Sequence, residues 1–185
     1  MTVSIRILAG TVPYTGIELR SGWVREHTGL EGDAVAGFVG PCDVPTVHLV
    51  DLDDARAGEF IRAASMAHVI AEHPGCPLRE AVMRQRLMVA LLGEIIAAAG
   101  KLLRRDGDDL YYGDRKLTVS IAAPSPASSL IHLGINVDPT GAPVPAVGLR
   151  ELGLDATTVL GQLLEQYARE MDSAAYAATK VKTVS

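Results

Sequence analysis

The chain has 185 residues, 48% of them hydrophobic and 21% charged, with a formal net charge of −5. That composition fits a globular chain with a sizeable core and excludes an intrinsically disordered one. The acidic balance, without any long Lys/Arg run, excludes general binding to a nucleic-acid backbone but leaves room for a local anion site.

Val3 to Leu8 alternates weakly and predicts a first strand, with a turn over Thr11 to Gly16. Glu18 to His27 predicts a short helix broken by Gly22. Asp33 to Val39 predicts a strand ended by Gly40-Pro41, and Thr46 to Val50 a second short strand. Phe60 to Ala71 reads as strand, then helix. Pro77 to Ala99 is a strong helix prediction, with proline at its start and Gly100 at its end. Strands are then expected at Lys101–Arg105, Asp109–Tyr112, Arg115–Ala122 and Ser129–Val137. Asp155 is a good N-cap for a last helix, along which Leu160, Leu163, Leu164, Tyr167, Met171, Ala174, Ala175 and Ala178 form a stripe expected to meet the core. Without a regular βαβ rhythm, this order predicts an α+β fold: a mainly antiparallel sheet covered by helices, in one domain spanning 1–185.

The stretch from Arg104 to Val137 carries the most chemistry. Gly113-Asp114 is a hairpin turn signal. Beyond it Leu117, Val119 and Ile121 alternate with Lys116, Thr118 and Ser120. In the next strand Ile131, Leu133, Ile135 and Val137 alternate with His132, Gly134 and Asn136. Strand alternation then predicts one polar surface carrying Lys116, Thr118, Ser120, His132 and Asn136, with Gly134 leaving room for a ligand. A solvated antiparallel sheet shows the same pattern.

Other motifs carry less. No Walker or Rossmann glycine loop is present, and Ser125, Ser128 and Ser129 lack a nucleophile-elbow context. Asp51, Asp53 and Asp54 have the oxygens for Mg²⁺, but an acidic helix start explains them as well. His68 and Glu72 stand one helical turn apart, and no third zinc ligand is nearby. Arg84, Gln85 and Arg86 point to different helix faces and make no common clamp. Cys42 and Cys76 lack metal-like spacing, which points to a reducing cytoplasm rather than a disulfide scaffold. The N-terminus lacks the long apolar core of a signal peptide. The longest apolar run, Leu87 to Gly100, contains Glu94 and is too short to cross a membrane.

The segment Asp108-Asp-Leu-Tyr-Tyr-Gly-Asp-Arg-Lys-Leu-Thr-Val-Ser-Ile121 resembles the central motif of biotin protein ligases. There an Asn-Asp-Leu step, a hairpin and an Arg-Lys strand come in the same order. A long helix precedes it and a Gly-Ile-Asn-Val strand, here Gly134 to Val137, follows it. Lipoate ligases and octanoyl transferases share this core, with a His-Gly step near Ile131-His-Leu-Gly134. The whole chain more closely resembles the family called domain of unknown function 366. Its hallmarks are Tyr14-Thr-Gly-Ile-Glu-Leu19, Gly40-Pro-Cys42, Val50-Asp-Leu-Asp-Asp54, Met66-Ala-His68, Arg84-Gln-Arg-Leu87 and Lys116-Leu-Thr-Val-Ser-Ile-Ala122.

The resemblance implies the biotin/lipoate ligase fold, related to class II aminoacyl-tRNA synthetase catalytic domains. The family likeness implies no activity; the motif order shared with the ligases points to ATP- and Mg²⁺-dependent activation of a small carboxylic acid as an acyl-adenylate, then transfer to an amine or other nucleophile. By that likeness Lys116 binds the carboxylate and the adenylate. Asp108, Asp109 and Arg20 face the nucleotide, and Asp109 the metal. Ser120, His132, Asn136, Thr118 and Gly134 line the acid. A homodimer through sheet edges is compatible with such folds.

Three departures qualify it. The Gly-Arg-Gly-Arg adenylate loop is missing, with Gly16-Ile-Glu-Leu-Arg-Ser-Gly22 in its place. Thr118 and Val119 replace the strand glycine. The transferase cysteine has no counterpart near Ala146-Val-Gly148. They motivate an alternative in which the cleft binds a nucleotide, base or small acid without adenylation. A third reading is an interaction module on an inactive ligase fold.

Overall fold

The computed structural model of the chain describes residues 2–184. Its centre is a five-stranded sheet in the order β1-β2-β3-β8-β7. The strands are β1 (Ser4–Thr11), β2 (Ala34–Val44), β3 (Ile61–Pro74), β7 (Thr118–Pro124) and β8 (Ser128–Asp138). The β1–β2 pair is parallel, and the β2–β3, β3–β8 and β7–β8 pairs are antiparallel. A small antiparallel sheet joins β4 (Arg104–Asp106), β5 (Asp109–Tyr112) and β6 (Arg115–Lys116). The architecture is α+β, with a mainly antiparallel sheet covered by helices, as expected from the mixed order of elements.

Strand alternation divides the core into two layers. Val35, Ala67, Val69, Leu133 and Ile135 face the long helices α3 (Leu78–Ala98) and α4 (Ala156–Thr179). Ala36, Phe38, Met66 and Ile70 face the opposite way, toward Trp23 and Val24 of the short helix α1 (Trp23–Thr28). Asp155 caps α4, its side chain accepting from the Thr158 N–H. The α4 stripe packs through Tyr167, and Met171 is half-buried against the core. Beyond it Ala174, Ala175 and Ala178 are exposed, because the helix outruns the body.

Other elements differ from expectation for identifiable reasons. Phe60 to Ala71 contains no helix; Ile61–Pro74 is one strand. Its alanines and methionine tolerate a helix, but pairing with β2 and β8 on both sides overrides that preference. Gly40-Pro41 does not end β2. The register against β3 shifts between Gly40 and Cys42, and such an irregularity accommodates a proline that cannot donate to the ladder. Thr46–His48 is a 3-10 turn rather than a strand. Gly22 marks the start of α1 and not a break within it. Asp51 starts a helix, α2 (Leu52–Ala57), accepting from the N–H groups of Asp53 and Asp54.

The strand pair at the predicted site exists, but its polar face is not the predicted one. Thr118 lies opposite Ile135, Val119 opposite Gly134, and Ser120 opposite Leu133. Thr118 and Ser120 therefore lie on the helix side of the sheet, and Val119 and Ile121 share the face of His132. The cause is Leu117, which falls between β6 and β7 and packs into the helix-side core. Leu117 still accepts from the Asn136 N–H, but its side chain and that of Thr118 both face the helix side, so the alternation phase shifts there and every following side chain changes face.

Candidate functional site

A cleft of about 420 Å³ opens on the face of the sheet away from α3 and α4. Its floor holds Met66, Val119, His132 and Asn136. Tyr14 and His48 wall one side, and Ala142 to Ala146 another. The latter segment is held against Lys116, whose N–H donates to the Pro145 carbonyl while its own carbonyl accepts from Val147. The cleft also reaches past the β7 edge to Ser120, Asp108 and Asp109.

Lys116 is the pivot. Its Nζ lies 2.8 Å from Asp109 Oδ2, and both side chains are about a quarter exposed, 27% and 23%. The Tyr111 hydroxyl donates to the same oxygen at 3.4 Å. Burial raises the Asp109 pKa, and the neighbouring Lys116 only partly opposes it. Asn136 Nδ2 donates to the Lys116 carbonyl at 3.2 Å and helps fix the strand that carries the lysine. The Asn136 Oδ1 is buried and has no hydrogen-bond partner among the described residues.

The Asp108 carboxylate is held on three sides. It accepts from Gln85 Nε2 at 2.8 Å and from Ser120 Oγ at 3.1 Å, and it pairs with Arg86 at 3.2 Å. Gln85 and Arg86 converge on this one carboxylate, although their adjacency predicts no common clamp, while Arg84 turns away and pairs with Glu80.

At the floor two histidines meet. His68 Nδ1 and His132 Nε2 are 3.1 Å apart, one of them donating. The Tyr14 ring stacks on His132 with centroids 3.8 Å apart and planes 8° from parallel. Phe38 covers His68 at 4.9 Å. Burial drives the His68 pKa down to about 3, and burial with the neighbouring His68 holds His132 well below its ordinary value. Both rings are thus neutral at pH 7. Burial likewise raises the Tyr14 hydroxyl and pushes the Cys42 thiol up to about 12, so neither ionises readily. His68 and Glu72 make no metal pair: Glu72 accepts from Ser21, Gly22 and Ser128.

The structure brings Lys116, Asp108, Asp109, Ser120, His132 and Asn136 to one cleft. Thr118, Gly134 and Arg20 fall outside it. Thr118 is fully buried and its Oγ1 accepts from the Leu110 N–H. Gly134 leaves no free room: a Cβ there would meet Val119 at 3.1 Å, Met66 at 3.2 Å and His132 at 3.3 Å. Arg20 is exposed and paired with Glu26. Residues not singled out as lining include Tyr14, His48, Glu59, Met66 and Val119. Met66 and His68 share a strand face with Ile70, a signal that reading β3 as a helix concealed.

Among the described residues no group of three His, Cys, Asp or Glu side chains is arranged to hold a metal ion. Asp109 and Asp108 fit Mg²⁺ only as a companion to phosphate oxygens, the usual way that ion binds. No helix among the described residues is long and apolar enough to cross a membrane.

The sequence profile of the family described as domain of unknown function (DUF366) matches residues 3–182. The chain belongs to this family. An uncharacterized protein of Methanocaldococcus jannaschii is 34% identical over 92% of this chain and 80% of its own length. A solved protein of unknown function from Pyrococcus horikoshi shares 34% identity and a TM-score of 0.94, with both chains fully covered. Biotin protein ligase from Aquifex aeolicus, solved with biotin and ATP, has a TM-score of 0.58 at 12% identity, covering 91% of this chain and 70% of that one. Lipoate-protein ligase A bound with ATP has a TM-score of 0.55 at 13% identity, covering 91% and 86%. The DUF366 chain thus has the biotin/lipoate ligase fold.

Proposed function

We propose that the cleft binds a small carboxylic acid at Lys116 and activates it with ATP and Mg²⁺ as an acyl-adenylate, for transfer to an amine or other nucleophile. The Lys116–Asp109 pair carries this reading. An ammonium held 2.8 Å from a carboxylate, at the inner wall of a cleft in a ligase-type fold, is matched to exchange one carboxylate for another. The lysine is a mobile point charge that can follow the acid as its charge changes.

In the reaction an oxygen of the acid bonds to the α-phosphorus of ATP, and the bond to pyrophosphate breaks. Lys116 holds the acid and then the adenylate. Mg²⁺ would neutralise phosphate charge, with Asp109 or Asp108 contributing a carboxylate oxygen. Asn136 holds the backbone of Lys116, and His132 with Tyr14 forms an uncharged, stacked floor. The uncharged floor leaves the matching of the carboxylate to Lys116.

One observation favours a second reading, acid binding without adenylation. Of the cationic side chains lining the cleft, Lys116 pairs with Asp109 and Arg62 with Asp43, which leaves no lining cation free for a triphosphate. Release of pyrophosphate from Mg²⁺·ATP separates the two. With a panel of short acids, acid-dependent release that Lys116→Met abolishes supports activation. Absence of release with every acid, despite saturable acid binding, leaves the second reading.

A further inference from the structure

We propose that the acid bound in the cleft also carries a protonated amine, so that the substrate class is an amino-carboxylic acid. This rests on the reading that Lys116 receives the carboxylate. It starts from the charges that remain once the ion pairs are assigned. Arg62 is bound by Asp43 through two nitrogens, at 3.0 and 2.9 Å. Lys116 is matched by Asp109, and Asp108 by Arg86. Asp51, Asp54 and Glu59 line the same cleft, and none of the three forms an ion pair among the described residues. The rim therefore holds unneutralised negative charge beside a site whose inner cation is reserved for a carboxylate.

A second observation is independent of charge. Asn136 is only 4% exposed, lines the cleft, and its Oδ1 accepts no hydrogen bond among the described residues. A buried acceptor without a donor is costly, and the donor missing inside the chain is the kind a ligand supplies. An ammonium has three N–H donors and no acceptor. It offers the donor that Asn136 Oδ1 lacks and the positive charge that the rim lacks, whereas a second carboxylate or a plain alkyl chain offers neither.

The rim and the lysine act on one ligand. Asp54 is close enough to Lys116 and Asp109 to feel their charges. Burial first, then Asp51, raises its pKa, a crowding that a bound cation relieves. Val119 and Ile121, turned into the cleft by the phase shift at Leu117, supply apolar wall for the carbon skeleton between the two charged ends. A divalent metal is the other cation that three carboxylates attract. Against it, no group of three possible ligands among the described residues is arranged for a metal, and Asp51 Oδ1 already accepts from two backbone N–H groups.

The test is calorimetric titration of the full chain, free of metal, near pH 7 and at low salt. The probes are 4-aminobutanoate and 6-aminohexanoate against butanoate and hexanoate, with MgCl₂ alone as a further arm. At least one amino acid is expected to bind about tenfold or more tightly than the alkanoate of equal length, the effect of one charge-assisted contact. Asp54→Asn with Glu59→Gln should reduce that ratio toward one, and Glu59→Lys should reverse it. Circular dichroism identifies any variant that has not folded, and the wild-type ratio stands without them. The proposal is overturned by equal or weaker binding of both amino acids, by no binding of any probe, or by Mg²⁺ binding alone and removing the preference. Pyrophosphate release is scored separately. An amino-acid preference without release retains this inference and removes adenylation; release with alkanoates only does the reverse.

Discussion

Lys116 Nζ and Asp109 Oδ2 lie 2.8 Å apart, and each side chain is about three-quarters buried. Asp109 is therefore a competitor for any carboxylate that approaches the lysine. Asp109→Asn removes the competing charge and keeps the side-chain shape. It is expected to tighten binding of a short acid by about three- to tenfold, the range of one partly screened ion pair. Calorimetry on the variant checks it, and weaker binding would show that Asp109 holds the ligand rather than the lysine.

The His68–His132 contact makes stability depend on pH. Both rings are neutral when folded, since burial depresses their pKa, that of His68 from 6.5 to about 3. The unfolded chain binds protons on these rings below about pH 6.5, where the folded chain does not. Their contribution is thus fully present above that pH and is lost as pH falls toward 3. His73, also depressed mainly by burial, acts in the same direction. Each buried ring contributes at most about 1.4 kcal/mol per pH unit over this window. His132→Gln should flatten the fall of Tm between pH 7 and pH 4, and an unchanged slope would show that the pair protonates freely.

Much of this was legible in the residues. Proline, glycine and aspartate punctuation placed α3, β5, β8 and α4 near their observed limits, because those signals act locally. The motif from Asp108 to Ile121 placed Lys116, Asp108 and Asp109 in the cleft. The lost information is non-local. Nothing in Lys116-Leu117-Thr118 announces that the alternation phase shifts at Leu117, yet that shift sends Ser120 to the helix side and Val119 to the cleft. His68 becomes a partner of His132 only through β3–β8 pairing, which an alanine-rich strand does not advertise. The rim from Asp51 to Phe60 borders the cleft only in three dimensions.

Gly134 tests the register directly. A methyl group there meets Val119, Met66 and His132 together, between 3.1 and 3.3 Å. Gly134→Ala is expected to cost about 1–3 kcal/mol, the usual range for an overpacked core. Adding Val119→Ala should recover part of it. At Gly40 the neighbour is backbone, and a Cβ there would overlap the Val12 carbonyl oxygen, so Gly40→Ala should fail to fold. Urea denaturation of the three proteins gives the comparison.

On the helix side, His73 joins Asp33 at 2.7 Å and the Tyr167 hydroxyl at 2.8 Å, tying α4 to β3. Tyr167 is fully buried, so Tyr167→Phe leaves His73 Nε2 without a partner. The expected loss is about 1–3 kcal/mol, the penalty for an unsatisfied buried group. It should appear in urea midpoints and leave ligand affinity unchanged, since the contact lies across the sheet from the cleft.

The most direct test of the account is calorimetric titration of the short acids into the wild-type chain and into Lys116→Met. Saturable binding to the wild type, weakened about tenfold or more in the variant, is the predicted result, as befits loss of a charge-assisted hydrogen bond. Equal affinity in the two proteins, or no binding of any acid to the wild type, would contradict the assignment of Lys116 as the carboxylate site.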